Sequence, residues 1–360
     1  MSRTHDAVLR RRIVTHRLAG QKCPEPEDVV RLLAAVQSQE HAHGFWSLGM
    51  RTRGSTYADV RHAFDEGRIL RTHMLRTTWH FVAPEDIRWM LGATSARVLA
   101  AFGSSFRGNG LDDHMQRETG ELVVRMLEGG THLTRKEIGA ALERRGVILG
   151  GERLAYIVMS AELHGLICSG PMRGAQHTYA VLDERVPPGL TYDPAEALAE
   201  LVFRFFAGHG PASLKDFTRW SSLTVADAKT GIAAAGDRLA STEVEGQNLW
   251  SDPAAPKPRS VPLTADLLPL YDEALLTYPQ LNFPTARDHP HPPDMDLFVG
   301  SIIAGTRNVG TWRRTVTGKR LTIETDLAPG LDEEHLTAVQ SALDRLTVFL
   351  GYSPAQPMCG

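Results

Sequence analysis

The sequence predicts a mainly α chain with β wings: an α+β fold of three tandem winged-helix units followed by a small C-terminal β-rich domain. Three observations predict it. The order helix, helix, helix, two-strand ribbon recurs along the first part of the chain, which is a helix-turn-helix layout with a wing. Beyond residue 252 the pattern changes to short apolar runs joined by glycine-containing turns. The composition, 42% hydrophobic and 22% charged over 360 residues, is that of a globular protein with length enough for real cores, and it excludes disorder, collagen and coiled coil. The expected domains are 1–110, 111–187, 188–251 and 252–360.

In the first unit, Val8, Leu9, Ile13, Val14 and Leu18 recur at helical spacing, predicting a basic helix over 7–18. Pro26 at a first helical position and acids in the following turn predict a second helix over 27–39. A third covers 56–66 and stops at Gly67. A ribbon follows at 69–74 and 77–82, and Pro84 opens a helix over 85–91. In the second unit a helix spans 113–127. Thr134 and Glu137 then have capping-box spacing for a helix reaching 145, Gly150-Gly151 leads into a helix at 153–164, and 167–168 and 178–182 form the wing. The third unit has helices at 194–206, 213–220 (capped by Ser213) and 225–235 (capped by Thr224). A hairpin over 243–250 turns on its glycine. The proline-rich stretch 252–262 reads as a linker. The last domain combines an apolar stretch at 267–272, a proline-rich loop at 288–294 and strands at 297–304, 309–315 and 320–325. Its closing helix, 333–349, is capped by Asp332. The three units share pattern order, not sequence identity.

Cys23, Cys168 and Cys359 are too few and too scattered for a disulfide framework or a zinc ribbon, which fits a reducing, cytoplasmic setting. No basic-then-apolar leader opens the chain, and no apolar run approaches about 18 residues, so neither secretion nor a membrane span is expected. The net charge of -3 argues against a nucleic-acid partner when taken whole. By segment it differs: residues 1–110 hold 16 Lys+Arg against 10 Asp+Glu, whereas 188–360 hold 14 against 21. Such asymmetry is a hint of a nucleic-acid face in the first unit.

Glycine-rich phosphate loops and a nucleophile elbow are absent, so nucleotide hydrolysis, dinucleotide redox chemistry and serine hydrolysis lack support. His41-Ala-His43 and His289-Pro-His291 could suggest a metal, but no third and fourth ligand stand at metal spacing. They read as exposed loop histidines, and no metal or cofactor is expected. Gln37-Ser38-Gln39 closes the second predicted helix. On a helix the two amides diverge by about 100° either side of Ser38, so they converge only if the helix ends or unwinds there. In the ribbon, Arg71, Arg76, Trp79 and His80 interleave charge with an aromatic surface: cations for phosphates and a ring for stacking. Period-two alternation sets Trp79 and Phe81 on one side and His80 on the other, so Trp79 could equally be half core.

In this order, Gln37-Ser38-Gln39, Arg76-Thr-Thr-Trp-His80-Phe-Val-Ala-Pro84, Gly208-His-Gly-Pro211 through Trp220, Leu267-Leu-Pro-Leu-Tyr-Asp272-Glu273 and Val309-Gly-Thr-Trp-Arg-Arg314 make a specific set. The chain resembles the AlkZ/YcaQ-type winged-helix DNA glycosylases over nearly its whole length. The resemblance implies a monofunctional glycosylase that releases cationic alkylated purines from double-stranded DNA, interstrand crosslinks included, acting without a cofactor as a nucleoid-associated monomer. It places catalysis on the first and third residues of a Gln-x-Gln motif, here Gln37 and Gln39. Glutamine at the third position, where the other branch carries aspartate, puts the chain in the AlkZ-like branch. Thr77, where the family has glycine or proline, and Leu270, where it has asparagine, depart from the pattern and bear on substrate class. The competing reading is a non-catalytic winged-helix DNA-binding protein or transcription regulator, for which a dimerisation helix would be expected; no long heptad segment is present.

Overall fold

The computed structural model describes residues 2–189, 191–285, 299–318 and 320–353. The proline-rich loop at 288–294, with His289 and His291, and Cys359 lie outside them. The chain packs as two compact units that interleave along the sequence. One comprises Met1–Arg61, Phe203–Asp216 and Gly236–Gly360; the other comprises His62–Val202 and Phe217–Ala235.

The first unit opens with the helix Arg3–Thr15, capped by Ser2, whose Oγ accepts the His5 N–H at 3.0 Å. Val8, Leu9 and Ile13 are its buried stripe. Strands Ala265–Leu268, Gly300–Ala304, Arg307–Thr317 and Arg320–Leu327 follow one another in an antiparallel sheet, with Leu267 opposite Ile302 and Ile302 opposite Gly310. Gly300 and Gly310 let neighbouring strands approach where a Cβ would meet the Leu268 and Asp326 carbonyls at 2.4 and 2.3 Å. The closing helix Glu333–Phe349 starts where the sequence places it. Asp332 accepts the His335 N–H at 3.0 Å, and Val339, Leu346 and Phe349 are buried. The hairpin Ala240–Val244 to Gln247–Ser251 turns on Glu245 and Gly246, both with positive φ (51° and 74°), the geometry of a two-residue type I′ turn.

The second unit carries the ribbon Leu70–Met74 and Thr78–Val82, then one long helix, Pro84–Gly108. The prediction ended that helix at residue 91. Buried Thr94, Ser95, Val98 and Phe106 carry its packed face onward. Helices Asp113–Leu127, Arg135–Glu143 and Gly151–Leu163 accompany a sheet in which Thr178–Val181 lies between Leu133–Thr134 and Ile167–Ser169. The Thr134 capping box forms as predicted: Thr134 Oγ1 accepts the Glu137 N–H at 3.3 Å and Glu137 returns the contact to the Thr134 N–H at 2.8 Å. Val123, Leu127, Ile138, Leu142, Val158 and Ile167 form its core. Among the described residues no helix is long and apolar enough to cross a membrane.

Candidate active site

The helix at Pro26 begins as predicted, with a Glu25/Asp28 capping box, and buries Val29, Val30 and Leu33 completely. It does not reach residue 39. It ends at Leu33; Ala34 adopts φ 61°, and Ala35–Gln37 is extended. Tertiary contacts override the helical pattern here. Continued as a helix, the Gln37 N–H would donate to Leu33. It donates instead to Glu273 Oε1 at 2.9 Å, 236 positions away in sequence. On the helix's last turn, Gly208 packs so closely that a Cβ would lie 2.2 Å from the Leu32 carbonyl oxygen.

Unwinding is the condition under which the two amides can converge. The strand ends at Gln37 and the chain bends at Gln39. Gln37 and Gln39 line one narrow cleft, with Glu40, His43, Ser47 and Tyr271. Gln37 is buried and Gln39 half-buried. The helix His41–Gly49, which the sequence reading missed, follows directly, with Glu40 at its N-cap. His41 and His43 therefore sit half-buried on a helix, not on an exposed loop. Burial, with Arg314 adding, pushes the His43 imidazole down to about 4, so it is neutral near pH 7. Among the described residues no cluster of three or more His, Cys, Asp or Glu side chains is placed to hold a metal ion.

Behind the cleft lies a buried polar layer. Arg51 and Asp272 pair bidentately (2.9 and 2.7 Å), both side chains fully shielded, and the Ser47 hydroxyl donates to Asp272 Oδ2 at 2.7 Å. Asp272 caps the short helix Glu273–Leu276 through the Ala274 N–H at 2.9 Å. Tyr278 donates its hydroxyl to the His209 carbonyl at 2.6 Å, so its oxygen receives the His16 Nε2–H at 2.7 Å. Burial foremost, then His209, Arg51 and Arg12, holds His16 well below the ordinary histidine range.

In the second unit the ribbon assembles its own group. Arg71, His73 and Trp79 share one face, in the predicted alternation. The Arg71 guanidinium stands 4.4 Å over the Trp79 ring, the His73 ring lies 4.2 Å from it, and His73 Nδ1 meets the buried Glu162 carboxylate at 2.5 Å. Arg71 is 5% exposed and His80 fully buried; His80 Nδ1–H donates to the Thr78 carbonyl at 3.0 Å. Arg76 and Trp79 are half-buried.

Sequence reasoning missed Glu40, His43, Ser47 and Tyr271 as cleft residues. It had marked the Leu267–Glu273 segment without seeing what it does; the structure shows that segment supplying Glu273 to Gln37 and Tyr271 to the cleft.

A family model for AlkZ-like DNA glycosylases matches residues 30–349. Among curated proteins, the interstrand DNA cross-link repair glycosylase of Streptomyces sahachiroi is 25% identical over 238 residues, 63% of this chain and 64% of that protein. The aligned part thus spans less than two thirds of that relative's length. Among solved structures, the Streptomyces sahachiroi DNA glycosylase AlkZ has the same fold: TM-score 0.78 at 19% identity, covering 99% of this chain and 100% of that one. The family match includes both glutamines, the ribbon and the Asp272-Glu273 segment, and the chain belongs to the AlkZ-like DNA glycosylase family.

Proposed function

We propose that this protein hydrolyses the N-glycosidic bond of cationic alkylated purines in double-stranded DNA, N7-alkylguanine and N3-alkyladenine among them, as a monofunctional, cofactor-free monomer. Interstrand crosslinks tethered through such positions belong to the same class, in line with the name of the Streptomyces relative. The observation that carries the reading is the convergence of Gln37 and Gln39 on one cleft, made by the break in the helix at Ala34, in a chain of this family.

Alkylation gives the purine a positive charge. As the C1′–N9 bond breaks, its electron pair passes to the base, which leaves neutral and needs no general acid. Water then bonds to an oxocarbenium-like C1′ and gives its proton to solvent. An amide has no useful basicity, but its carbonyl oxygen holds a water while its NH2 donates elsewhere. Two amides in one cleft orient that water and aim their dipoles at the cationic sugar. The neutral state of His43 fits: the cleft offers no imidazolium at neutral pH to protonate an uncharged base, so uracil and similar neutral lesions are poor substrates. The helix–helix–ribbon repeats serve as three winged-helix DNA-binding units, with half-buried Arg76 and Trp79 of the ribbon as DNA contacts and the buried Arg71 and His80 supporting them from behind.

Single-turnover base release from a duplex carrying N7-methylguanine tests the reading. Gln37→Ala/Gln39→Ala should abolish release while duplex binding stays nearly intact. Release by the double variant at the wild-type rate refutes the catalytic assignment, and sequence-specific binding without release by the wild type favours the regulator reading.

A further inference from the structure

We infer that Glu273 is a positioning residue for the glutamine pair, acting through the backbone of Gln37. The inference rests on the proposed role of Gln37 and Gln39. Where the helix stops, Gln37 loses the ladder that would have held its N–H, and every buried N–H must find a partner. The partner supplied is a carboxylate, and charge-assisted hydrogen bonds are roughly twice as strong as neutral ones. Glu273 is fully buried, which costs free energy unless its oxygens are engaged. Oε1 takes the Gln37 N–H at 2.9 Å, and Oε2 takes the Thr277 hydroxyl at 3.3 Å and stands 3.8 Å from His209 Nε2. Its own backbone is anchored from the other side, because Asp272, locked onto Arg51, caps the helical turn that Glu273 begins. A rigid buried carboxylate therefore sets where the extended segment ends, and with it where both amides point. Misplacing a catalytic group by about 1 Å can cost on the order of 100-fold in rate.

The test combines single-turnover release of N7-methylguanine, equilibrium binding to undamaged duplex and thermal melting, for the full-length wild type, Q37A/Q39A, E273Q and E273D. E273Q keeps an oxygen for the Gln37 N–H and should stay within about threefold of the wild-type rate. E273D withdraws the carboxylate by one methylene and should slow release about 10- to 100-fold, with duplex affinity unchanged and melting lowered but still a single cooperative transition. An E273D that releases base at the wild-type rate overturns the inference, as does an E273Q as slow as E273D, since E273Q retains the acceptor. If E273D does not fold, T277V, which frees one arm of the carboxylate, decides in its place: slowed release with intact binding supports positioning, and wild-type release overturns it. Full activity of Q37A/Q39A removes the glutamine reading itself, a result distinct from any of these.

Discussion

Replacing Asp272 by alanine isolates the buried layer beneath the glutamines. Arg51 and Asp272 have no exposed side-chain surface, and two hydrogen bonds of 2.9 and 2.7 Å join them. Asp272→Ala leaves the guanidinium bonded to the Ser47 and His16 carbonyls (both 2.9 Å) but with its charge unopposed by this partner. Removing one member of a buried pair costs about 3–5 kcal/mol, because the other charge stays out of water. With a urea slope of about 2–3 kcal/mol/M, that moves the unfolding midpoint down by roughly 1–2.5 M. Arg51→Met should cost somewhat less, since Asp272 keeps the Ser47 hydroxyl and the Ala274 N–H as donors. Combining Arg51→Met with Asp272→Ala strands no charge, so the double variant should lie well above the sum of the singles, with a coupling of about 2 kcal/mol or more. Urea titration followed by far-UV circular dichroism reads all four proteins. A cost for Asp272→Ala below about 1 kcal/mol, or additivity within about 0.5 kcal/mol, refutes the reasoning.

Other perturbations probe neighbouring points. Gly208→Ala sets a Cβ 2.2 Å from the Leu32 carbonyl oxygen, against backbone that cannot swing away; it should lower stability by about 1–3 kcal/mol or more, read as a urea midpoint. Glu40→Gln keeps the shape of the cleft rim and removes its carboxylate; if the amides suffice, base release should fall less than tenfold, and a loss as complete as that of the glutamine double variant assigns the base to Glu40. Burial pushes Asp266 up to about 6 from 3.8, against the pull of Lys22, Arg345 and Arg51. The folded state thus holds this proton more tightly than the unfolded chain, and the stability it brings is full below about 4 and lost as pH rises through about 6. The wild-type urea midpoint should therefore fall relative to that of Asp266→Asn between pH 4.5 and 7; a constant difference across that range counts against the burial argument.

What was legible in the sequence was local chemistry. Thr134 with Glu137, Asp332 before its helix and the glycine of the hairpin each act through their own neighbours, and each forms as written. What was hidden is set by partners distant in the chain. Val29, Val30, Leu32, Leu33 and Val36 continue a helical stripe past the point where the helix stops, because the stop comes from Glu273 and Gly208, 236 and 176 positions from the residues they touch. The helix His41–Gly49 was hidden for the opposite reason. Its histidines and glycines give weak local preference, and burial of Phe45, Trp46 and Leu48, with the Trp46 indole N–H donating to the Leu267 carbonyl at 2.8 Å, holds it. The spacing of the glutamines stated the geometric condition for a site; only the tertiary fold met it.

The charge asymmetry changes meaning for the same reason. Along the chain, a positive first segment and a negative last one suggest a cationic face for DNA. In the fold residues 1–61 share one unit with most of the last segment, and residues 62–110 belong to the other. Arg12 meets Asp216, with side chains 3% and 4% exposed, Arg51 meets Asp272, and Lys22 draws on Asp266. Counted by unit, the first holds 22 Lys+Arg against 23 Asp+Glu and the second 17 against 19, so each is close to neutral. Arg71 is buried as well, stacked on Trp79. Part of the positive charge of residues 1–110 is thus spent inside the protein, and Arg12 and Arg51 use theirs to tie the first segment to Asp216 and Asp272. Any grip on phosphates then comes from local groups of cations, and the salt dependence of binding, which scales with phosphates contacted and not with segment charge, should be shallower than the segment count implies.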